Sequence, residues 1–199
     1  NRFNIVVNSR QSGLSTILGL IALYDAIFNS NKNIVIVGPK IAILIEFFDK
    51  IKNTYKNIPY FLKPGIVSYD KLKLKFDNGS RIIGTSTING AIAFNIHSLF
   101  FIDFVHIKQV EQIFEHLIPA VSSIQDSRVM IQSTPSIKND LFDTLVRNAI
   151  RKEGDPQKNS FNLNWVYWWM IPNRDEKWRK EMIKIIGQKN FDREYDLWL

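Results

Sequence analysis

The sequence predicts an α/β fold, a mostly parallel sheet with helices on both faces. Two observations predict it. Short β-branched or aromatic runs alternate with longer runs of helical periodicity. The strand-like runs are apolar throughout, as strands covered on both faces are. One stretch departs from this pattern. Near residues 66–87 the period changes to two, the mark of a hairpin or meander.

The elements follow in order. Ile5-Val6-Val7 reads as a buried strand. A helix is predicted over 15–28, with Leu18, Ile21 and Ala22 apolar and Asp25 turned outward, ended by Asn29-Ser30-Asn31. Residues 33–37 form a second buried strand, stopped by Gly38-Pro39. An amphipathic helix over 42–55 carries Lys50 and Lys52 near its C-terminal end, where cations suit the helix dipole. The alternation from Lys71 to Phe76 puts Lys71, Lys73 and Lys75 on one face, either solvated or touching a polyanion. Asp77-Asn78-Gly79-Ser80 then turns the chain into a return strand from Arg81.

Leu99–Ile102 is predicted as a third buried strand and Val129–Gln132 as a fourth, with helices over 110–121 and 140–151. Glu153-Gly154-Asp155-Pro156 is a loop. It divides a core of residues 1–155 from a small C-terminal subdomain, 156–199. In that subdomain Trp165–Trp169 reads as an aromatic strand, followed by helices over 176–186 and 190–198. The aromatic run can stack nucleic-acid bases, but its strand-like alternation favours packing.

Composition narrows the function classes. With 45% hydrophobic and 23% charged residues, the 199-residue chain can bury a core and is not of disordered type. The absence of Cys excludes disulfide frameworks and thiolate metal sites. His97, His106 and His116 show no metal-ligand spacing with carboxylates. No apolar run reaches the roughly 18 residues of a membrane span, and no secretory signal opens the sequence. A net charge of +7 admits a polyanionic partner or a plain lysine-rich surface.

In parallel sheets ligands bind outside the carboxyl ends of the strands. Those ends carry residues 8–16, Lys40, Asp103 and Ser133-Thr134. "SRQSGLST" at 9–16 follows a strand and opens a helix, the setting of a phosphate-binding P-loop. Its Gly13 and Ser15 match that motif, with Leu14 in the lysine position and Asn8 in the first glycine position. Backbone N–H groups of such a loop attract phosphate whatever the side chains. Arg10, Gln11, Ser12, Gly13, Leu14, Ser15 and Thr16 are therefore the candidate nucleotide-binding residues. Ser15 stands where P-loops ligate Mg²⁺, and Asp103, after four apolar residues, matches the Walker B aspartate. Ser133-Thr134-Pro135 puts small hydroxyls at a further strand end. The fold class sharpens to P-loop NTPase type.

Further motifs extend the pattern. Residues 58–67 read Ile-Pro-Tyr-Phe-Leu-Lys-Pro-Gly-Ile-Val, and 76–82 read Phe-Asp-Asn-Gly-Ser-Arg-Ile. Asn173-Arg174-Asp175-Glu176-Lys177-Trp178 precedes a helix, and Phe191-Asp192-Arg193-Glu194-Tyr195 lies near the end. In this order the motifs resemble the ATPase domain of the large terminase subunit of tailed bacteriophages, the contractile-tailed type above all. The resemblance implies a viral DNA-packaging motor that hydrolyses ATP with Mg²⁺ and drives double-stranded DNA into a capsid. It implies a homo-oligomeric ring of terminase subunits on the portal, in the cytoplasm of an infected bacterial host and transiently on the procapsid. Arg10, Asp103 and Thr134 take the catalytic roles: Arg10 on the γ-phosphate, Asp103 with Ser15 on Mg²⁺, Thr134 coupling hydrolysis to movement. The nuclease domain that usually follows in the family is absent from these residues, as is the adenine-contacting segment upstream of the loop.

Three residues depart from the family where charge meets phosphate. Leu14 replaces the lysine, Phe104 replaces the catalytic glutamate, and the "AIRG" stretch reads Ala91-Ile92-Ala93-Phe94. These departures predict a catalytically impaired domain. The alternative they leave is a non-enzymatic relative, keeping the fold as a DNA- or partner-binding module.

Overall fold

The computed structural model describes residues 2–88, 90, 95–135 and 140–197. One eight-stranded sheet runs through them, in the order β3-β4-β5-β2-β6-β7-β1-β8. Its strands are β1 (Phe3–Asn8), β2 (Asn33–Val37), β3 (Ile66–Asp70), β4 (Lys73–Phe76), β5 (Arg81–Thr85), β6 (Ser98–Phe101), β7 (Arg128–Ser133) and β8 (Asn162–Val166). The β3–β4 and β4–β5 pairs are antiparallel and all other pairs parallel. The period-two stretch is thus a meander closing one edge, as its alternation predicts. Its pairing begins at Lys73, and Lys71 belongs to the turn before it.

Among the described residues four α-helices connect the strands, α1 (Leu14–Phe28), α2 (Ile41–Asn57), α3 (Val110–Ser122) and α4 (Leu141–Ala149), and two follow the last strand, α5 (Glu176–Ile186) and α6 (Gln188–Glu194). Alternate residues of each central strand point to opposite faces. Ile34 and Ile36 of β2, with Phe100 of β6, join Leu18, Leu23, Phe47 and Ile51 beneath α1 and α2. Val35, Val37, Leu99 and Phe101 join Ile113, Leu117 and Val146 beneath α3 and α4. Helices therefore cover both faces, and the unbroken apolar strands are explained by two separate cores.

Three local expectations are corrected. Asp25 is not turned outward. It is 7% exposed, accepts a hydrogen bond from Ser98 Oγ at 2.9 Å and pairs with Arg128 at 3.2 Å. A carboxylate so provided can sit on the buried side of a helix. β6 ends at Phe101, although Ile102 N–H still donates to the Val37 carbonyl. The aromatic run is only partly a strand. β8 stops at Val166, and Trp168–Met170 form a short 3₁₀ turn. Segment 156–199 contributes β8 to the sheet, then α5 and α6, which share a small aromatic cluster of Trp168, Phe191 and Tyr195. The last helix ends at Glu194, and Trp198 lies outside the described residues.

The turn before β5 shows how sequence fixes the meander. Gly79 has φ of 84°, and a Cβ there would lie 2.1 Å from Asn31 Oδ1. Asn78 Nδ2 donates to the Ala26 carbonyl at 2.9 Å and so anchors the turn to the end of α1. At the opposite strand pair, Asn33 N–H donates to His97 Nδ1 at 3.1 Å, which holds that imidazole neutral. Burial lowers the His97 pKa below 6.5, and Lys32 adds to it against a hydrogen bond with the Asn95 backbone. The unfolded chain therefore takes up the proton first as pH falls. Stability from this site is constant above the unfolded pKa and declines as pH drops through the folded one. The melting temperature should fall between pH 7.5 and pH 5, and by less in His97→Gln. An equal fall in both proteins would remove His97 from the account.

Candidate functional site

β1, β6 and β7 end side by side, and their carboxyl ends carry the candidate site. The loop from Ser9 to Gly13 leaves β1 with two residues at positive φ, Gln11 at 56° and Gly13 at 76°. Gly13 is the N-cap of α1, and no side chain caps the helix. Thr16 N–H donates to the Gly13 carbonyl at 3.0 Å, so the N–H groups of Leu14 and Ser15 are those that face an anion, and the dipole favours one.

The loop is held from below and from the side. Asn8 Nδ2 donates to the Ser9 carbonyl at 2.9 Å and to Ser12 Oγ at 3.1 Å, while Asn8 Oδ1 accepts from Gln132 Nε2 at 2.6 Å. Gln132 Oε1 in turn accepts from the Asp103 N–H at 3.1 Å. From the C-terminal layer, Arg174 donates to the carbonyls of Arg10 and Gln11 at 3.0 and 2.9 Å. The Arg174 guanidinium also lies over the Trp178 ring, 4.9 Å from its centroid. Burial pushes its pKa below the usual arginine value, opposed by Tyr195, and an arginine remains charged there.

A cavity of ≈ 530 Å³ opens above this floor. Every candidate site residue lines it: Arg10 to Thr16 from the loop, Asp103 from the end of β6 and Thr134 from the end of β7. Ser15 and Asp103 thus share one cavity. One carboxylate and one hydroxyl beside a phosphate site are the oxygen donors that Mg²⁺ takes. The Arg10 guanidinium pairs with Glu194 at 3.2 Å and remains 64% exposed. A pair with one partner so exposed is worth only about 0–1 kcal/mol, so the guanidinium is not tightly held. Lys40 is the N-cap of α2 and is not among the lining residues.

Sequence reading missed five lining residues. Ile43, Lys50, Gln132, His106 and Glu194 all face this cavity. Glu194 had a signal, since it stands in the motif at 191–195. Gln132 and His106 sit beside motif residues, but Lys50 arrives from α2 through tertiary packing alone.

Two departing positions are now placed. Leu14 lines the cavity and also packs, partly buried, against the core beneath α1 and α2. Phe104 does not face the cavity. Asp103 adopts φ 50°, ψ 50°, a left-handed turn that sends consecutive side chains apart. Phe104 is 0% exposed, with ring centroids 5.2 Å from Phe101, 6.0 Å from Phe114 and 5.9 Å from Phe142. Ala93 and Phe94 lie outside the described residues.

This placement predicts the outcome of restoring a carboxylate. Phe104→Glu would put an unpaired charge among three aromatic rings and should cost about 4 kcal/mol or more. Phe104→Leu should cost only about 1–2 kcal/mol. Urea unfolding of both variants tests this. A glutamate tolerated to within about 1 kcal/mol would mean that position 104 turns toward the cavity instead.

Known proteins share this architecture. The ATPase domain of the large terminase of Thermus phage P74-26 superposes with a TM-score of 0.75 at 17% identity, over 98% of this chain and 88% of that one. The large terminase of a thermophilic bacteriophage matches with a TM-score of 0.77 at 11% identity, over 100% of this chain and 48% of its own length. Structures of that same terminase contain ADP and ATP-gamma-S. The HK97 bacteriophage large terminase gives 0.71 at 14% identity, over 99% and 46%. The chain thus spans about half of these two full-length relatives. Residues 5–196 match the family described as terminase large subunit, T4-like virus type, N-terminal, and the chain belongs to that family.

Proposed function

We propose that this chain is a DNA-packaging ATPase domain that still holds ATP and Mg²⁺ in the loop cavity but hydrolyses ATP at a negligible rate. One observation carries the reading. Arg10, Ser15, Asp103 and Thr134 converge on a single cavity, which Leu14 lines without a charge, whereas Phe104 is drawn into a core. Binding groups are retained where catalytic charge is not.

Phosphoryl transfer depends almost wholly on positioning and charge stabilisation. Removing one preorganised donor costs about 10²–10³ in rate. Here the loop lysine is absent and no glutamate follows Asp103 to orient water. The uncapped start of α1 and the hydroxyl–carboxylate pair ask for neither group, so nucleotide binding outlasts turnover. The ADP and ATP-gamma-S complexes of the thermophilic phage terminase support a nucleotide in this fold. In this reading the partners are double-stranded DNA, further copies in a ring and the portal, and the setting is the infected bacterial cytoplasm and procapsid. A net charge of +7 suits the DNA.

The second reading is a non-enzymatic, partner-binding module. It is favoured by the apolar stripe on α1, where Ile17, Leu20, Tyr24 and Phe28 are each 44–59% exposed.

A phosphate-release assay and equilibrium titration with MgATP distinguish the readings. The expected result is saturable MgATP binding with no release above background. Mg²⁺-dependent turnover well above background would overturn the impaired reading, and absence of any binding would leave the module.

A further inference from the structure

A nucleotide triphosphate in the loop cavity needs a cation near its outer phosphates, and the loop's own lysine position holds Leu14. Arg10, the loop's own cation, lines the rim and stands 64% exposed in its pair with Glu194, so it supplies one charge from one side only. Lys50 lines the same cavity from α2 and makes no ion pair among the described residues, neither with Glu46 one turn away nor with the adjacent Asp49. The packing of α2 on α1 explains how it reaches there.

Gly19, in the middle of α1, lets α2 approach closely. A Cβ at Gly19 would lie 3.1 Å from Ile51 Cγ1 and 3.6 Å from Phe47 Cζ. Residues 47–51 of α2 are therefore level with Gly19. Ser15 lies four residues earlier on α1, a rise of about 6 Å. Both helices start at the carboxyl end of the sheet, and helical side chains slant toward their own N-terminus. Lys50 accordingly slants toward the loop, on a four-carbon stem that spans the remaining turn. Ile43, seven residues before Lys50 and on the same stripe of α2, lines the cavity as well.

We propose that Lys50 is a second phosphate-binding cation of this site, beside Arg10, supplied by α2 in place of the lysine missing at position 14. This rests on the nucleotide-binding reading above. Lys50 contacts the β- and γ-phosphates and leaves the nucleoside untouched, so its worth grows with the number of phosphates.

Calorimetric titration of MgATP, MgADP and AMP tests it. Lys50→Met should weaken MgATP binding by about tenfold or more, as loss of a charged hydrogen bond does, with AMP changed by less than about twofold. Adding Leu14→Lys to Lys50→Met should restore MgATP affinity. Lys50 is exposed, so thermal melting should show all variants folded. If the parent binds MgATP and Lys50→Met stays within about twofold, Lys50 is not that second cation, while the nucleotide reading stands. Equal loss for MgATP and AMP would also overturn it, because the effect would not follow phosphate number. If the parent binds no nucleotide, both readings fall together.

Discussion

A buried amide pair at the strand ends sets the geometry of everything above it. Asn8 ends β1 and Gln132 nearly ends β7, and they are 4% and 2% exposed. Asn8 uses its oxygen on Gln132 and its amide nitrogen on Ser9 and Ser12, while Gln132 passes the chain of bonds to the Asp103 backbone. Each buried donor or acceptor left alone costs roughly 1–3 kcal/mol, so these bonds are made together or not at all. They lock the phosphate loop and the Asp103 turn to one floor. The residue in the motif's first glycine position is therefore a structural tie between three strands. A glycine there would free the backbone and lose the tie.

The second restraint comes from the far end of the chain. Arg174 donates to two loop carbonyls, and Arg10 N–H donates to the Glu194 carbonyl. Trp168, Phe191 and Tyr195 form the small core against which Trp178, Met182 and Ile183 of α5 pack. The loop has one glycine, Gly13, and it relies on these outside contacts more than on internal turns. Its shape is thereby coupled to the position of the C-terminal layer. A ligand that takes Arg10 from Glu194 acts on α6 directly.

The sheet was legible because its strands are buried on both faces and therefore apolar without interruption. Ile34 through Val37 alternate between two cores, which a sequence shows only as a run of hydrophobic residues. The loop, Asp103 and Thr134 were legible because they follow such runs. What the sequence hid were tertiary facts. Asp25 looked like an outward polar residue, since its partners Ser98 and Arg128 are remote in the chain. Lys50 looked like a dipole-matched surface cation, since only Gly19 and the approach of α2 bring it to the loop. Phe104 followed Asp103 and was assigned to the same chemistry. A single left-handed residue separates them, and periodicity carries no trace of that turn.

Those two departures differ in kind once they are placed. Leu14 sits at the rim, half in the cavity and half on the α1–α2 core, where a lysine stem could run along the same apolar surface with its ammonium in the site. Phe104 is integral to a cluster with Phe101, Phe114 and Phe142. Exchange at 14 therefore alters charge with little change in packing, whereas exchange at 104 must first rebuild a core. The Asp103 turn aims position 104 inward, so a carboxylate at that position would face rings unless the turn itself changed. The fold uses position 104 as a structural element of this core. Among the described residues, the lysine and arginine side chains that line the cavity are Arg10 from the loop and Lys50 from the neighbouring helix α2, so a charge lost at position 14 is replaced from outside the helix start.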